Sequence, residues 1–493
     1  MVEGLNDEYI TLLNDYLCDG GFRRLMRDGV TIANLDYGPG VDPAAATAMV
    51  FTGAAPSVNG ISGAKIYDAT TRRGQNILTD PSTIGNFTGE TLSPKGILVS
   101  TLGDEVRLDA AGTGWVYSAA ADPVQAIIMA GHAGNSAFWI NADKGNWATT
   151  THYKDLPQTM SARNYTRPLT AAVDTMVWTP LLDASVYPDV PDYKRQYPFR
   201  HNFPRKDADR YDHFKASPKA NTEITNVAVD YLNGMQFGQR GPVDMLALGY
   251  TVAPYPYTRD ADNRMETLDS YLRLDRDLDR LFRTIDRRLG AGNALIFLAG
   301  CPPSTNGPRD DEKWGVPSGE FSPRKATSLL NMYLMALHGN GEWVTGYFNR
   351  NFYLNQRLIK ESKLDLADVR AEAAEFLARM SGVSVVYTID DIIASRAGDN
   401  AQALKRNTVV PHSGDVIISL TPGWCVVDDQ NALTAEPQAA REAYIPSSAF
   451  ILGGGVKPQI IDTPVDARVI APTVSRLLRI RSPNAASLPA LRL

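Results

Sequence analysis

YLRLDRDLDRLFRTIDRRLGAGNALIFLAG, residues 271–300, decides the fold. In this stretch and the five residues before it, apolar side chains recur at three- and four-residue steps while Asp and Arg fill the other face. That pattern predicts a long amphipathic helix over 266–289. Gly290 and Gly292 end the helix, and the apolar run 294–299 predicts a buried parallel strand. Helix, tight turn and strand form half of a doubly wound α/β unit, in which ligands bind beyond the carboxyl ends of the strands. The sequence therefore predicts a ligand site near Cys301 and Pro302, where this strand ends.

Composition excludes several classes of function. Charged residues make up 21% and hydrophobic residues 44% of the 493, as in ordinary globular proteins. A net charge of -6 argues against a nucleic-acid binder, because phosphate contacts need a basic surface. No apolar run approaches the ~20 residues of a membrane span. Cys18, Cys301 and Cys425 are far apart and lack metal-binding spacing, so they are interpreted as buried free thiols.

Several segments, in order along the chain, share one resemblance. The stretch 271–300 resembles the helix–strand segment of the alkaline phosphatase superfamily, above all of phosphate-irrepressible bacterial alkaline phosphatases and their type I phosphodiesterase and nucleotide pyrophosphatase relatives. GGFRRLMRDGVTIANLDYG (20–38), SAFWINADKGNWATTTHYKDLP (136–157) and KLDLADVRAEAAEFLARMSGVSVVYTIDDI (363–392) are similar to further segments of that family. HSGDVIISLTPGWCVVDD (412–429) is similar to a strand pair of the same relatives.

The resemblance implies the architecture. It predicts an α/β fold with a doubly wound, mostly parallel sheet, helices on both faces, and inserted cap subdomains. The core would comprise residues 1–174, 220–302 and 411–493. A loop insertion over the cleft would occupy 175–219, and an inserted subdomain of helices and strands would occupy 303–410.

Active relatives hydrolyse phosphate esters with two zinc ions. The resemblance also implies which positions of this chain correspond to the catalytic groups of those relatives. Alignment on the flanking motifs places the nucleophile at Pro43 and zinc ligands at Glu3, Pro254, Thr258, Cys301 and Pro302. The phosphate contacts, which are an Asn, a Lys and an Arg in the relatives, fall on Ala64, Asp122 and Val124. The stretch 431–444, where the relatives supply a last zinc-binding His, contains no His. Among the metal-linked positions only Glu3 keeps the chemical type that the resemblance implies there, and a carboxylate at 122 would repel the family's substrate.

Other candidate residues have structural interpretations. Asp42 is predicted to cap a helix that begins at Pro43. Asp260 and Asp262 are predicted to cap the long helix that includes Glu266. Thr47 would be a nucleophile only if the alignment slipped by four residues. His132, in an Ala-Gly-His motif, is predicted to be a hydrogen-bonded, packed histidine. His201 and His213 lie in the Tyr-, Pro- and Asp-rich insertion, and their spacing matches no compact metal-ligand set.

These substitutions favour a catalytically inactive family member, a pseudophosphatase that binds no zinc or other cofactor and acts in binding or assembly through the cleft and the insertions. The alternative is a metal-dependent phosphomonoester or phosphodiester hydrolase with an altered site that uses Glu3, Asp42, Asp260 or Cys301. The expected partner is an unidentified protein or a small neutral ligand.

The N-terminal residues 1–9 are similar to the segment that directly follows the family's first strand. Either an upstream strand, with an export signal, has been removed, or the sheet lacks part of a central strand. The first case predicts a periplasmic or secreted protein, and otherwise a cytoplasmic one is expected.

Overall fold

The computed structural model describes residues 1–154, 156–258, 260, 262–303, 319–396, 401–421, 424–427 and 446–493. The strands are β1 (Val2–Glu3), β2 (Val30–Asp36), β3 (Lys65–Asp68), β4 (Arg73–Asn76), β5 (Gly85–Asn86), β6 (Val116–Ala120), β7 (Ser136–Ile140), β8 (Trp147–Thr150), β9 (Val177–Trp178), β10 (His201–Asn202), β11 (Met245–Leu248), β12 (Tyr250–Thr251), β13 (Ile296–Cys301), β14 (Gly319–Phe321), β15 (Val344–Phe348), β16 (Asn351–Leu354), β17 (Val383–Thr388), β18 (Val416–Leu420), β19 (Trp424–Val426), β20 (Ser447–Leu452), β21 (Gln459–Ile461) and β22 (Val465–Asp466).

The helices are α1 (Asp7–Leu12), α2 (Phe22–Asp28), α3 (Pro43–Thr52), α4 (Pro56–Asn59), α5 (Leu102–Asp109), α6 (Pro123–Ala130), α7 (Gln158–Thr166), α8 (Leu169–Val173), α9 (Asp192–Gln196), α10 (Arg210–Lys215), α11 (Pro218–Gly234), α12 (Arg264–Leu289), α13 (Pro323–His338), α14 (Gln356–Glu361), α15 (Leu366–Leu377), α16 (Ile389–Ile393), α17 (Ala401–Asn407) and α18 (Ile470–Leu478). No helix in these described ranges is long and apolar enough to cross a membrane.

Two central sheets meet at Gly249. One has the order β12-β1-β13-β20-β2-β21, with β22 also beside β2, and the other has the order β11-β6-β7-β8-β5. Gly249 joins β11 to β12, and its N–H donates to the carbonyl of Ala119 at 2.9 Å. A Cβ at 249 would lie 2.7 Å from the Cβ of Ala120, so glycine is needed for this close approach. Most pairings are parallel, with β20 antiparallel to β13 and β2, and β8 antiparallel to β7 and β5.

Helices cover both faces of these sheets, as predicted. Alternate residues of β20 enter different hydrophobic cores, because successive side chains of a strand point to opposite faces. Ala449 and Ile451 belong to the core that includes α3 and α6. Phe450 and Leu452 belong to the core that includes α11 and α12. The predicted doubly wound α/β architecture is confirmed.

The predicted long helix is α12, and its polar face is less solvated than the sequence pattern indicates. Glu266, Asp269, Asp275 and Asp277 are all buried on it. Asp275, for example, accepts hydrogen bonds from the backbone N–H groups of Cys18 at 2.6 Å and Phe22 at 2.8 Å. Carboxylates on this helix therefore hold neighbouring loops, because buried charges persist only when they are hydrogen-bonded.

The inserted subdomain has a sheet and a core of its own. Its sheet has the order β15-β16-β18-β17, with α13 and α15 packed against it. The prediction that 412–429 forms a strand pair is wrong. β18 pairs with β16 and β17, whereas β19 pairs with β14 in a separate sheet. The physical reason is that Val416 and Ile418 of β18 are fully buried in the core of this subdomain. Because the described partners of β18 are strands of the insertion, these contacts favour a later boundary than residue 410.

Candidate functional site

The carboxyl ends of three strands meet around Glu3. β1 lies between β12 and β13 in parallel register, with Glu3 opposite Thr251 and Cys301. The Glu3 carbonyl accepts from Val252 N–H at 2.8 Å, and Gly4 N–H donates to the Cys301 carbonyl at 2.8 Å. The site therefore lies at the strand ends where ligands of such sheets bind.

A cavity of about 460 Å³, called here the strand-end cavity, opens at this point. Among the residues singled out from the sequence, Glu3, Asp122 and Pro254 line it. The segment 175–219, predicted to lie over the cleft, contributes Asp212 and Lys215. Its full lining is Glu3, Lys65, Ala121, Asp122, Gln125, Asp212, Lys215, Ala216, Asn221, Gly249, Tyr250, Thr251, Ala253, Pro254, Pro256 and Tyr257.

Asp42 caps α3, as predicted, and also accepts a hydrogen bond from outside that helix. Its Oδ1 accepts from Ala45 N–H at 2.8 Å, and Pro43 is the first residue of the helix, where its missing N–H costs nothing. Its Oδ2 accepts from Ala64 N–H, also at 2.8 Å. Burial raises the pKa of the Asp42 carboxyl, hydrogen bonds from backbone N–H groups partly offset this, and the charge of Asp122 raises it slightly further. A carboxylate of the chain thus occupies the N-terminus of α3, a place that favours negative charge.

The two remaining phosphate-contact positions lie at the start of α6. Asp122 is exposed and caps this helix, accepting from Val124 N–H at 2.8 Å and Gln125 N–H at 3.1 Å. The Val124 side chain is buried in the core. Neither residue can supply the cation that the resemblance implies at these positions.

Cys301 ends β13 and is fully buried. Burial raises the pKa of its thiol well above the usual range, and the negative charge of Glu3 adds to this effect. Because only the thiolate is a nucleophile or a metal ligand, Cys301 has the chemistry of a packed thiol. Pro302 follows it directly and has no donor atom in its side chain.

The other sequence candidates lie outside the strand-end cavity. Thr258 Oγ accepts from Asp260 N–H at 3.2 Å. Asp260 accepts from the Tyr193 hydroxyl at 2.9 Å and pairs with Lys194 at 3.3 Å, so the alternative ligand Asp260 already has partners. The prediction that Asp260 caps α12 is wrong. Asp262, also predicted to cap that helix, accepts from Arg264 N–H at 3.1 Å.

The histidines have ordinary partners. Both ring nitrogens of His132 lie 2.9 Å from an acceptor oxygen, Nδ1 from Asp104 Oδ2 and Nε2 from the Ile97 carbonyl, so its predicted hydrogen-bonded role is confirmed. His201 contacts Glu266 at 3.3 Å. His213 contacts Asp207 at 2.9 Å. Both insertion histidines also pack against aromatic rings, as an aromatic-anchored loop requires.

These residues do not fit a zinc centre. Proline at 43, 254 and 302 offers no ligand atom, and Cys301 keeps its proton. In the ranges that the structure describes, no group of three or more His, Cys, Asp and Glu side chains is placed to hold a metal ion. A two-zinc hydrolase needs about three protein ligands for each metal. The stretch 431–444, which contains no His, lies outside the described residues.

Sequence reasoning missed most of the polar lining. Lys65 directly follows the phosphate-contact position Ala64, Gln125 directly follows Val124, and Asn221 belongs to a helix with no motif of its own. Asn221 uses both ends of its amide on the backbone of Thr251, at 2.7 and 3.0 Å. Lys65 could have been predicted from its sequence neighbour Ala64, whereas Asn221 is brought to the site only by the packing of α11 on β12.

The comparisons with known proteins agree with this fold. The chain is 28% identical to a "Calcium-transporting ATPase" of Myroides odoratus, over 98% of this chain and 91% of that protein. It is 28% identical to alkaline phosphatase PhoV of Synechococcus elongatus, over 94% and 86%. Crystal structures of alkaline phosphatase PafA, wild type and a mutant with a Thr, an Asn, a Lys and an Arg replaced, superpose with TM-score 0.85 at 24% identity. They cover at least 99% of this chain and 97% of PafA.

The family model for type I phosphodiesterases and nucleotide pyrophosphatases matches residues 2–442, most of the chain. That range includes β1 with Glu3, the helix-capping Asp42, the start of α6 and the β13 strand end. This protein therefore belongs to the type I phosphodiesterase / nucleotide pyrophosphatase family, within the alkaline phosphatase superfamily.

Proposed function

We propose that this chain does not hydrolyse phosphate esters by two-metal chemistry, and that its strand-end cavity instead binds a small ligand without net charge. The observation that carries the proposal is the position of Asp42. Its carboxylate accepts hydrogen bonds from Ala45 N–H at the start of α3 and from Ala64 N–H. An incoming phosphoryl group would have to replace this internal anion.

The surrounding charges support the same conclusion. Asp122 raises the pKa of Asp42, and the charges of Glu3 and Asp42 raise the pKa of Cys301. Each of the carboxylates of Glu3, Asp42 and Asp122 therefore lies close enough to another ionisable group of this region to raise the pKa of that group. A phosphate dianion at this place would meet like charges in a site of reduced dielectric constant, where repulsion is strong.

The lining of the strand-end cavity as a whole is close to charge balance, with three carboxylates, of Glu3, Asp122 and Asp212, and two ammonium groups. Lys215 pairs with Asp212 at 2.8 Å, and Lys65 adds a second ammonium group. Pro254, Pro256 and Tyr257 contribute apolar surface. The volume of about 460 Å³ lies in the range of small-molecule sites. Mixed charges beside an apolar wall favour a compact neutral ligand with hydrogen-bonding groups.

The spacing of the replaced residues in the PafA mutant supports the alignment behind this proposal. The replaced Thr and Asn are 21 positions apart, and the replaced Lys and Arg are two positions apart. Pro43 and Ala64, and Asp122 and Val124, have the same separations in this chain.

The hydrolase half is tested with p-nitrophenyl phosphate and bis(p-nitrophenyl) phosphate at alkaline pH in the presence of zinc. PafA prepared in the same way is the positive control. We expect no turnover above the zinc-containing blank. Turnover that depends on zinc and is abolished by Glu3→Ala would overturn the proposal in favour of a hydrolase with an altered site.

The binding half is tested by ligand-observed NMR with matched sets of neutral and anionic fragments. We expect the neutral set to bind and Tyr257→Ala, on the cavity wall, to weaken that binding. Tyr165→Ala, an exposed tyrosine that does not line the cavity, serves as the control. Preferential binding of anionic fragments, or no binding by either set, would contradict a small-ligand site, and the second result would favour a protein partner.

A further inference from the structure

The wall of the strand-end cavity includes an aromatic ring with one side uncovered. Tyr257 lines the cavity and is 43% exposed. The His213 ring packs on it with the centroids 4.1 Å apart, and the Tyr255 ring meets it edge-on at 5.7 Å. Neither His213 nor Tyr255 lines the cavity, so the accessible side of the Tyr257 ring is the one that contacts the cavity.

Gln125 places a carboxamide group where the two central sheets meet. A Cβ at Gly249, which also lines the cavity, would lie 2.0 Å from Gln125 Oε1, so the amide lies directly beside this glycine. Within the ranges that the structure describes, the amide has no hydrogen-bond partner, and its oxygen and nitrogen are not fully buried. Both atoms are therefore available to a ligand in the cavity.

Asp122 adds a second planar polar group, three residues before Gln125. Its Oδ1 accepts both hydrogen bonds from the start of α6. Because the residue is exposed and lines the cavity, Oδ2 is left to accept from a ligand. A carboxylate accepts hydrogen bonds and a carboxamide both accepts and donates them, so this pair suits neighbouring hydroxyl groups.

The ion pair of Lys215 and Asp212 supplies further hydrogen-bonding groups near Tyr257. Burial raises the pKa of Tyr257 to about 12, and the charge of Asp212 adds to this effect, so Asp212 lies near the tyrosine hydroxyl. Lys215 Nζ donates to Asp212 at 2.8 Å, which leaves the ammonium group two further donors. The two charges balance each other, and the pair therefore favours a neutral polar partner over an ion.

We propose that the strand-end cavity binds a carbohydrate, with one face of a pyranose ring against Tyr257 and neighbouring hydroxyl groups on Gln125 and Asp122. This inference rests on the function proposed above and names the class of its neutral ligand. The faces of a pyranose ring carry C–H groups that pack on an aromatic ring, and its edge carries hydroxyl groups that donate and accept. Because it has no charge, the carboxylates of the lining do not repel it, and its hydroxyl groups donate to them.

The test is saturation-transfer difference NMR on the whole chain with the methyl pyranosides of glucose, galactose, mannose and xylose. Tetrahydropyran-2-methanol, which keeps the ring oxygen and lacks the ring hydroxyl groups, is the matched probe. We expect at least one glycoside to bind about tenfold or more tightly than this probe, the gain from two or more hydrogen bonds. Saturation should be strongest at the C–H protons of one ring face, the face that packs on Tyr257.

Variants separate the two kinds of contact. Gln125→Leu should weaken the glycoside about three- to tenfold and leave tetrahydropyran-2-methanol unchanged, because only the glycoside uses the amide. Gln402→Leu, the same change at an exposed position outside the cavity, should affect neither probe. Tyr257→Ala should weaken both probes, whereas Tyr257→Phe keeps the ring and should preserve the binding of both.

The outcomes distinguish this inference from the function on which it rests. If neutral fragments without hydroxyl groups bind and no glycoside does, the carbohydrate is overturned and the neutral-ligand function stands. If neither binds, both are overturned. Equal affinities for the glycosides and tetrahydropyran-2-methanol in the wild type would also overturn the carbohydrate. So would unchanged glycoside binding in Gln125→Leu and Tyr257→Ala proteins that unfold at the wild-type temperature.

Discussion

Asp269 of α12 is fully buried and accepts four hydrogen bonds, from Trp178 Nε1, Leu181 N–H, the Tyr187 hydroxyl and Arg273 Nε. Asp122 of the strand-end cavity is exposed and, within the part of the chain that the structure describes, accepts from two backbone N–H groups of its own helix. The first carboxylate joins the 175–219 segment to the core, and the second caps a short helix. The charges that hold the fold are thus separate from those that line the cavity.

This separation explains how the family's fold persists with a changed site. The buried carboxylates of α12 hold loops from distant parts of the chain, so removing one would leave several donors without partners. At the strand ends, Pro43 and Asp122 each suit the start of a helix, so their roles in the fold are local. Substitutions at the strand ends therefore leave the sheet intact.

The largest effect is expected for Asp269→Ala. Four donors, among them the Trp178 and Arg273 side chains, would lose their acceptor inside the protein, at a cost of roughly 3–5 kcal/mol in the free energy of unfolding. Urea denaturation followed by circular dichroism measures the change. Asp286→Ala, which breaks a more exposed pair with Arg24 on the same helix, should cost about 1 kcal/mol or less. Equal losses in the free energy of unfolding for the two variants would contradict the contrast between buried and more exposed carboxylates.

A smaller effect is expected from Asp122→Lys at the strand-end cavity. The change replaces a repelling carboxylate by an ammonium group, so inorganic phosphate should bind about tenfold or more tightly than to the wild type, a gain of about 1.4 kcal/mol. Loss of the α6 cap should cost about 1 kcal/mol of stability. Calorimetric titration with phosphate measures the first effect. Asp109→Lys, with the same charge change away from the cavity, should bind phosphate no better than the wild type.

The His132–Asp104 pair predicts a modest pH dependence of stability. The hydrogen bond that His132 donates to the Asp104 carboxylate raises the pKa of His132 above its usual value, despite the opposing effect of burial. His132 in the folded state thus holds its proton more tightly than in the unfolded chain. Its stabilising contribution is fully present below pH ~6.5, the usual histidine pKa, and is lost as the pH rises through the higher folded-state value.

The expected contribution is less than about 1 kcal/mol, because the His132 side chain is 39% exposed and solvent screens the pair. Urea midpoints measured from pH 5.5 to 8.5 should fall with pH more steeply in the wild type than in His132→Gln. Parallel pH profiles for the two proteins would contradict the assignment.

The smallest response is expected from Cys301. Because its thiol is fully buried and its pKa is raised well above the usual range, iodoacetamide at pH 8 should not modify it in the native protein and should modify it after unfolding in urea. Peptide mass spectrometry identifies the modified cysteine. Rapid native labelling of Cys301 would revive it as a candidate nucleophile.

Local sequence patterns predicted the elements that depend on local interactions. The apolar period of 271–289 gave the position of α12, and Asp42 followed by Pro43 gave the start of α3. The burial of Asp269 and Asp275 could not be predicted this way, because their partners are about 80 to 260 residues away in sequence. The placement of β18 failed for the same reason, since a strand's apolar pattern does not name its neighbours.

The candidate site was predictable position by position but not as a cavity. The resemblance located Glu3, Ala64, Asp122 and Pro254. It did not show that Asp42 would bind the Ala64 N–H, because this contact joins two loops across the start of α3.

The central claim is that this family fold lacks the two-zinc centre, and zinc content tests it most directly. The protein would be purified without chelator, dialysed against zinc and then against zinc-free buffer, and analysed by inductively coupled plasma mass spectrometry with PafA in parallel. We expect no stoichiometric zinc on this chain. About two zinc ions retained per chain, as a two-metal hydrolase requires, would contradict it.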